Sequence, residues 1–115
     1  VVMNRVEDNR FPNTICEVVK EGPTRPSWED PKKEYPIRHR CQFSWYCDGK
    51  DDTPKNEKAW RKAQDVAFLV LYDKIKLDVT EGATHYHATY VRPSWAKTKK
   101  RTTRIEKHIF YRWEK

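Results

Sequence analysis

Cys41-Gln42-Phe43-Ser44-Trp45-Tyr46-Cys47-Asp48-Gly49, taken with Thr80-Glu81-Gly82-Ala83-Thr84-His85-Tyr86, decides how this chain is read. Each stretch sets aromatic rings and hydrogen-bonding side chains beside a turn. Asp48-Gly49 is a turn signal, because Asp bonds nearby backbone and Gly accepts a positive φ. Rings that pack on an apolar face, beside amides and hydroxyls that reach polar groups, are the chemistry that holds an extended sugar chain. The aromatic run at residues 41–47 is expected as a strand or extended segment.

Around these stretches the chain alternates short helical and extended patterns. Val2 and Val6 share a helical face, and no Ser, Thr, Asp or Asn cap stands before Val1, so the first six residues read as the end of a helix. Thr14 and Glu17 have capping-box spacing, with Ile15, Val18 and Val19 as an apolar stripe and Gly22 as a stop, which predicts a helix over 14–20. Residues 22–40 hold Pro23, Pro26, Pro31 and Pro36 among many charges and read as a long loop pinned by Trp28 and Tyr35.

Thr53 can cap a further helix with Pro54 in its first position. Ala59, Trp60, Ala63, Val66, Ala67, Val70 and Leu71 then recur at helical spacing. The second half is apolar on nearly all faces, which predicts a path through the core. Residues 84–91 and 104–113 are rich in β-branched and aromatic side chains and read as strands. In the second, Ile105, Ile109, Tyr111 and Trp113 alternate with Arg104, Glu106, His108 and Arg112, one face for packing and one for solvent or ligand. The sum is a small α+β domain with a short β-sheet and a long insertion loop.

The chain has 115 residues, enough for one core but not two. Hydrophobic residues make up 37% and charged residues 36%, so the core is lean, and the 5 Trp, 6 Tyr and 4 Phe supply much of it. A formal charge of +7 favours a polyanionic partner, with nucleic acid, an anionic membrane surface and carboxylate-bearing peptidoglycan all eligible. Nucleic acid is disfavoured because no helix-turn-helix, zinc finger or aromatic RNP pattern accompanies the charge. Residues 66–72 form an apolar run too short to span a membrane, and no signal peptide is visible at the N-terminus.

Three cysteines, Cys16, Cys41 and Cys47, allow one disulfide and one leftover thiol. On an extended strand Cys41 and Cys47 lie beyond disulfide reach unless the chain bends, and the favoured reading is three small buried apolar side chains. A Cys-His nucleophile pairing Cys47 or Cys16 with His85 is a remote option. His85 and His87 share a strand face, and His108 could join them as a third metal ligand, but this signal is weak and no metal site is assigned.

Asn4-Arg5-Val6, Phe11-Pro12-Asn13-Thr14-Ile15, Gln42-Phe43-Ser44, the Thr80 to Tyr86 stretch and His108-Ile109-Phe110-Tyr111, in that order, resemble the bacterial cell wall hydrolase family of spore cortex-lytic enzymes (SleB/CwlJ type), which also occurs in phages. The resemblance covers nearly the whole chain. It implies a lysozyme-like fold, no cofactor, and lytic transglycosylase or muramidase-type cleavage of the bond between N-acetylmuramic acid and N-acetylglucosamine. One catalytic Glu is implied: it protonates the leaving oxygen, then acts as base while the muramyl 6-hydroxyl closes a 1,6-anhydro ring.

That Glu belongs to a Gly-Glu-Ala-Arg-Gly-Glu type motif, roughly four helical turns before the family's Val-Val-x-Asn-Arg-Val. Here that second motif is Val1-Val2-Met3-Asn4-Arg5-Val6, so the expectation is a hydrolase domain over 1–115 without the part that carries the Glu. Glu81 and Asp48 are weak substitutes, each better explained as a turn residue. The resemblance places Gln42, Phe43, Ser44, Thr80, Gly82, Ala83, His85, Tyr86, His108 and Tyr111 on the substrate side. Gly82 serves either a positive backbone angle or a close glycan approach. Peptidoglycan strands are the implied partner, and the bacterial envelope or a phage virion, with assembly on other virion proteins, the implied location. The alternative is a catalytically incomplete peptidoglycan-binding or virion structural protein.

Overall fold

Helix α1 (Val2–Glu7) turns the longest side chain of its motif inward, leaving Arg5 only 4% exposed. The computed structural model describes residues 1–72 and 78–114. Helix α2 (Ile15–Val19) packs beside α1 and contributes Val18, which is fully buried. Its start follows the capping logic: Thr14 Oγ1 accepts from the Glu17 N–H at 3.2 Å and its hydroxyl donates to Glu17 Oε1 at 3.0 Å. Gly22 is not the helix stop, which falls at Lys20. It lies instead where a Cβ would come 3.0 Å from the Cys41 backbone, so a close crossing fixes it as glycine.

The proline-rich segment is not all loop. Strands β1 (Thr24–Pro26) and β2 (Glu34–Pro36) pair antiparallel, with Pro26 and Pro36 at the ends of their strands. A two-stranded ribbon has two edges, and proline is tolerated where no ladder donor is required.

Residues 41–47 are not a strand. The chain bends through a single 3₁₀ turn (Ser44–Tyr46), and the bend brings the Cα atoms of Cys41 and Cys47 to 6.1 Å, where they form a disulfide. The expectation of three small buried cysteines fails here: Cys16 is an exposed free thiol and only Cys47 is buried. The Tyr46 N–H bonds the Phe43 carbonyl at 3.0 Å and so closes the turn, and the stretch makes only isolated backbone bonds to its neighbours among the described residues, Gln42 N–H to the Glu21 carbonyl and His39 N–H to the Cys47 carbonyl, not a ladder.

Two compact units result, residues 1–49 with 80–115 and residues 50–79. The second is built on helix α3 (Glu57–Tyr72). Its cap is Asn56, whose Oδ1 accepts from the Ala59 N–H at 3.0 Å, and not Thr53, whose own N–H bonds Asp51 Oδ1. None of its residues is buried: Val66, Phe68, Leu69, Val70 and Leu71 are all exposed, so the expected path through a core is not taken. A single helix within its unit has no second apolar face to cover it.

The first unit holds the sheet, in the order β3 (His85–Ala88), β5 (His108–Arg112), β4 (Lys100–Ile105), all antiparallel. The single strand expected at 104–113 is a hairpin, because Glu106 takes φ 51° and turns the chain. Thr102 sits at a register shift in β4, and its hydroxyl bonds the Thr80 carbonyl at 2.8 Å, tying the sheet to the loop before β3. Cross-strand pairing places His85, His87, Ile109 and Tyr111 on one face, and Tyr86, Ala88, His108 and Phe110 on the other. The buried apolar set is small: Val18, Phe43, Cys47, Ala83 and Tyr111.

Arg5 joins these parts. Its Nε donates to the Thr84 carbonyl at 2.7 Å, and its guanidinium lies 4.8 Å from the Phe11 ring centre and 5.2 Å from that of Phe43. Asn4 Nδ2 donates to the neighbouring Ala83 carbonyl at 2.8 Å. Replacing Arg5 with Ala is expected to lower the unfolding free energy by about 3 kcal/mol, because a charged hydrogen bond and two ring contacts are lost. Urea denaturation followed by Trp fluorescence measures it. Cys47→Ser is expected to cost about 2 kcal/mol through loss of a short covalent loop, with the same loss in wild type under reductant.

Candidate functional site

The bend at Cys41–Cys47 turns Gln42, Phe43, Ser44 and Trp45 toward the free edge of the sheet, where β3 has no neighbour. Between that bend and the edge runs an open groove of about 470 Å³. Because β3 is an edge strand, residues from both faces reach the groove: His85 and His87 from one, Tyr86 and His108 from the other. Phe43 packs on Tyr86 at 6.3 Å between ring centres, and Trp95, from the turn before β4, packs on His85 at 5.0 Å. Arg5 contributes the cation of the wall, held below its usual pKa by desolvation and opposed in part by Glu21 and Tyr86.

Hydrogen bonds position both histidines of β3. The Thr84 hydroxyl accepts from the Trp113 N–H at 3.1 Å and lies 2.9 Å from His85 Nδ1. His87 Nδ1 faces the Ala88 carbonyl at 2.7 Å and therefore carries the proton, since a carbonyl cannot donate. Its Nε2 accepts from the Tyr111 hydroxyl at 2.9 Å, and the two rings stack at 5.3 Å. The pKa of His85 falls to about 4, first through burial and then through repulsion from Arg5, Lys99 and Arg10.

Six of the residues expected on the substrate side therefore meet in one place: Gln42, Phe43, Ser44, His85, Tyr86 and His108 line the groove. The other four do not. Ala83 and Tyr111 are buried behind it, and the Thr80 carbonyl accepts from Thr102. Gly82 takes the positive angle, φ 83°, directly after Glu81 at φ 57°, and lines a separate recess with Arg10, Arg112 and Glu114. Of the two weak carboxylate substitutes, Glu81 bonds Arg112 through its carbonyl and Asp48 bonds Arg38 through its carbonyl; neither lines the groove. Among the described residues that do line it there is no carboxylate.

The other options for the heteroatoms separate on the same geometry. His108 lies on the opposite face from His85 and His87, so the three do not converge on one metal. Cys47 is in the disulfide and Cys16 lies on α2 outside the groove, which removes the Cys-His nucleophile. Trp45, His87, Tyr90 and Trp95 line the groove without having been singled out as substrate residues. Trp45 was legible as the next ring in the aromatic run; Trp95 carried no signal beyond being aromatic.

His85 also sets a pH dependence. Its folded pKa lies below the ordinary 6.5, so between pH 6.5 and about 4 the unfolded chain binds the proton and the folded chain does not. Stability is expected to fall as pH drops through that window, and His85→Phe to flatten the slope; urea midpoints at pH 7, 5.5 and 4.5 measure it.

Among solved structures, the catalytic domain of the germination-specific lytic transglycosylase SleB from Bacillus anthracis is similar to this chain. The TM-score is 0.59 and the identity 25%, over 96% of this chain and 71% of that one. No curated protein matches the sequence. A sequence profile described as Cell Wall Hydrolase matches residues 1–111. The groove-bearing α+β unit, the lysozyme-like fold it shares with that catalytic domain, and a profile match over nearly the whole length lead to one assignment: the chain belongs to the cell wall hydrolase family.

Proposed function

We propose that the groove along β3 holds a peptidoglycan glycan strand, and that the domain serves lytic transglycosylase or muramidase-type cleavage of the bond between N-acetylmuramic acid and N-acetylglucosamine. The observation that carries this is the wall itself. Gln42 and Ser44 supply polar groups on an exposed bend, while Phe43, Trp45, Tyr86 and Trp95 supply rings, the combination a sugar chain with apolar faces and polar edges requires. The SleB neighbour is the catalytic domain of a lytic transglycosylase, which supports the same chemistry. The Cys41–Cys47 disulfide favours an oxidising location, in keeping with the bacterial envelope.

In this reading the chain's own residues bind and orient. Arg5 and Asn4 hold the 83–84 backbone that feeds β3, the disulfide holds the opposing bend, and the strand lies between. Protonation of the leaving oxygen falls to the Glu that the family resemblance places before the Val1–Val6 motif, since no groove-lining carboxylate among the described residues can do it. That same observation favours the second reading, a component that grips peptidoglycan without cutting it, as a virion part would.

Sacculi separate the two. The 115-residue chain is expected to sediment with purified sacculi, and Trp45→Ala, which removes a ring already 47% exposed, to weaken this about tenfold. A longer form in which the family's Glu motif is joined ahead of Val1 is expected to release anhydromuropeptides by mass spectrometry. Absence of sedimentation would sink the groove reading; sedimentation without release from the longer form would leave the gripping component.

A further inference from the structure

We propose that His85 is held as a neutral ring with its proton on Nε2, and that this N–H is the groove's donor to the carbonyl of a glycan N-acetyl group. The assignment of the ligand rests on the groove being a glycan site; the assignment of the tautomer does not.

The tautomer follows from one buried hydroxyl. Thr84 is 4% exposed, and its Oγ1 already accepts from the Trp113 N–H at 3.1 Å. The hydroxyl has one proton to give, and the acceptor beside it is His85 Nδ1 at 2.9 Å. Were Nδ1 protonated, the hydroxyl would have to accept from it as well as from Trp113, and its own proton would be left without an acceptor, a cost a buried group avoids. Nδ1 is therefore the acceptor and Nε2 carries the proton. The relay runs Trp113 N–H to Thr84 and Thr84 O–H to His85, and leaves Nε2–H as the donor of a ring that lines the groove.

The surroundings keep the ring neutral. Arg5 from α1, Arg10 from the following loop and Lys99 from the segment before β4 all press positive charge on it. The acids of that region are already engaged, Asp8 with Arg10 at 2.7 Å and Glu114 with Arg112 at 2.9 Å. On β3 itself His87 spends its Nε2 on Tyr111, so it does not compete as a donor to the groove. Burial adds to the effect, and the ring's pKa drops to about 4.

A neutral N–H prefers a neutral acceptor. In peptidoglycan the recurring neutral acceptor is the acetamido carbonyl, present on both sugars, and its methyl needs an apolar surface. The Trp95 ring, 5.0 Å from the His85 ring, offers that surface within the same groove. A cationic histidine would instead select the carboxylates of the lactyl group or the stem peptide, and its grip would rise as pH falls through 6.5.

Long-range ¹H–¹⁵N correlation spectra of the wild-type protein decide the tautomer without any ligand. The expected result is an Nε2–H pattern for His85 that stays unchanged from pH 7.5 to 5. A proton on Nδ1, or titration near pH 6.5, overturns the proposal. For the ligand, binding of peptide-free glycan strands is measured before and after chemical removal of N-acetyl groups. His85→Phe, which keeps a ring, is expected to weaken binding of acetylated strands roughly five- to tenfold, and His85→Gln, which keeps an N–H, to recover most of it. On deacetylated strands the difference between wild type and His85→Phe is expected to vanish. An equal loss on both strand types, or wild-type affinity that climbs as pH falls to 5.5, overturns the acetamido assignment. No wild-type binding to either strand type overturns the glycan reading and that assignment with it, while the nitrogen spectra still judge the tautomer.

Discussion

A guanidinium taken out of water must be satisfied where it lies, and the first unit is organised around that demand. Arg5 has no carboxylate within ion-pair distance among the described residues. It is answered by the Thr84 carbonyl, by Gln42 Oε1 at a long 3.5 Å, and by the faces of Phe11 and Phe43. These partners come from three separate stretches of sequence. Because a neutral set of acceptors gives no release by pairing elsewhere, each stretch must stand in one place for the charge to be tolerated. Position is thereby enforced on the bend, on the loop into β3 and on α1 together, and the groove is the space those three leave.

The groove wall is stiffened by unlike devices on its two sides. The bend is closed by a covalent link and a 3₁₀ turn, because its short aromatic run has no strand to pair with. The edge strand is held from behind by Tyr111, by the Thr84 relay and by Asn4. An unpaired edge ordinarily invites another strand. Here side chains from both faces of β3 reach the groove beside that edge, and under the proposed reading an extended polysaccharide lies there without β-pairing.

Much of this was legible in the residues. Thr14 and Glu17 declared the α2 cap, Asp48-Gly49 the turn, and Gln42, Phe43, Ser44 and Tyr86 the groove, because local hydrogen-bonding chemistry and aromatic content are written in sequence directly. What was misread depends on distant partners. The aromatic run at 41–47 has strand composition, yet a strand exists only where a neighbour offers a ladder, and among the described residues none does. The alternation at 104–113 is real, but Glu106 adopts a left-handed angle that its residue type does not announce. The apolar helix α3 was expected in a core from its composition alone, though composition does not say what will cover it. Tyr111 matched a motif and was assigned to the ligand, whereas it is buried and orients His87.

The electrostatics of the wall also constrain the acid that would work there. Arg5 projects positive charge into the groove, and Lys99 and Arg10 press on His85 from behind. A carboxylic acid close to Arg5 would be held ionised, which suits a base and defeats a general acid. An acid that must begin each cycle protonated therefore needs the opposite surroundings, apolar and away from the guanidinium, as the raised carboxyl of a glycosidase requires. Val91 and Pro93, which line the groove and make none of the contacts that hold Arg5, are the part of the wall with that character. Under the proposed reading, a general acid would have to enter from that apolar side, because the guanidinium side holds a carboxylate ionised.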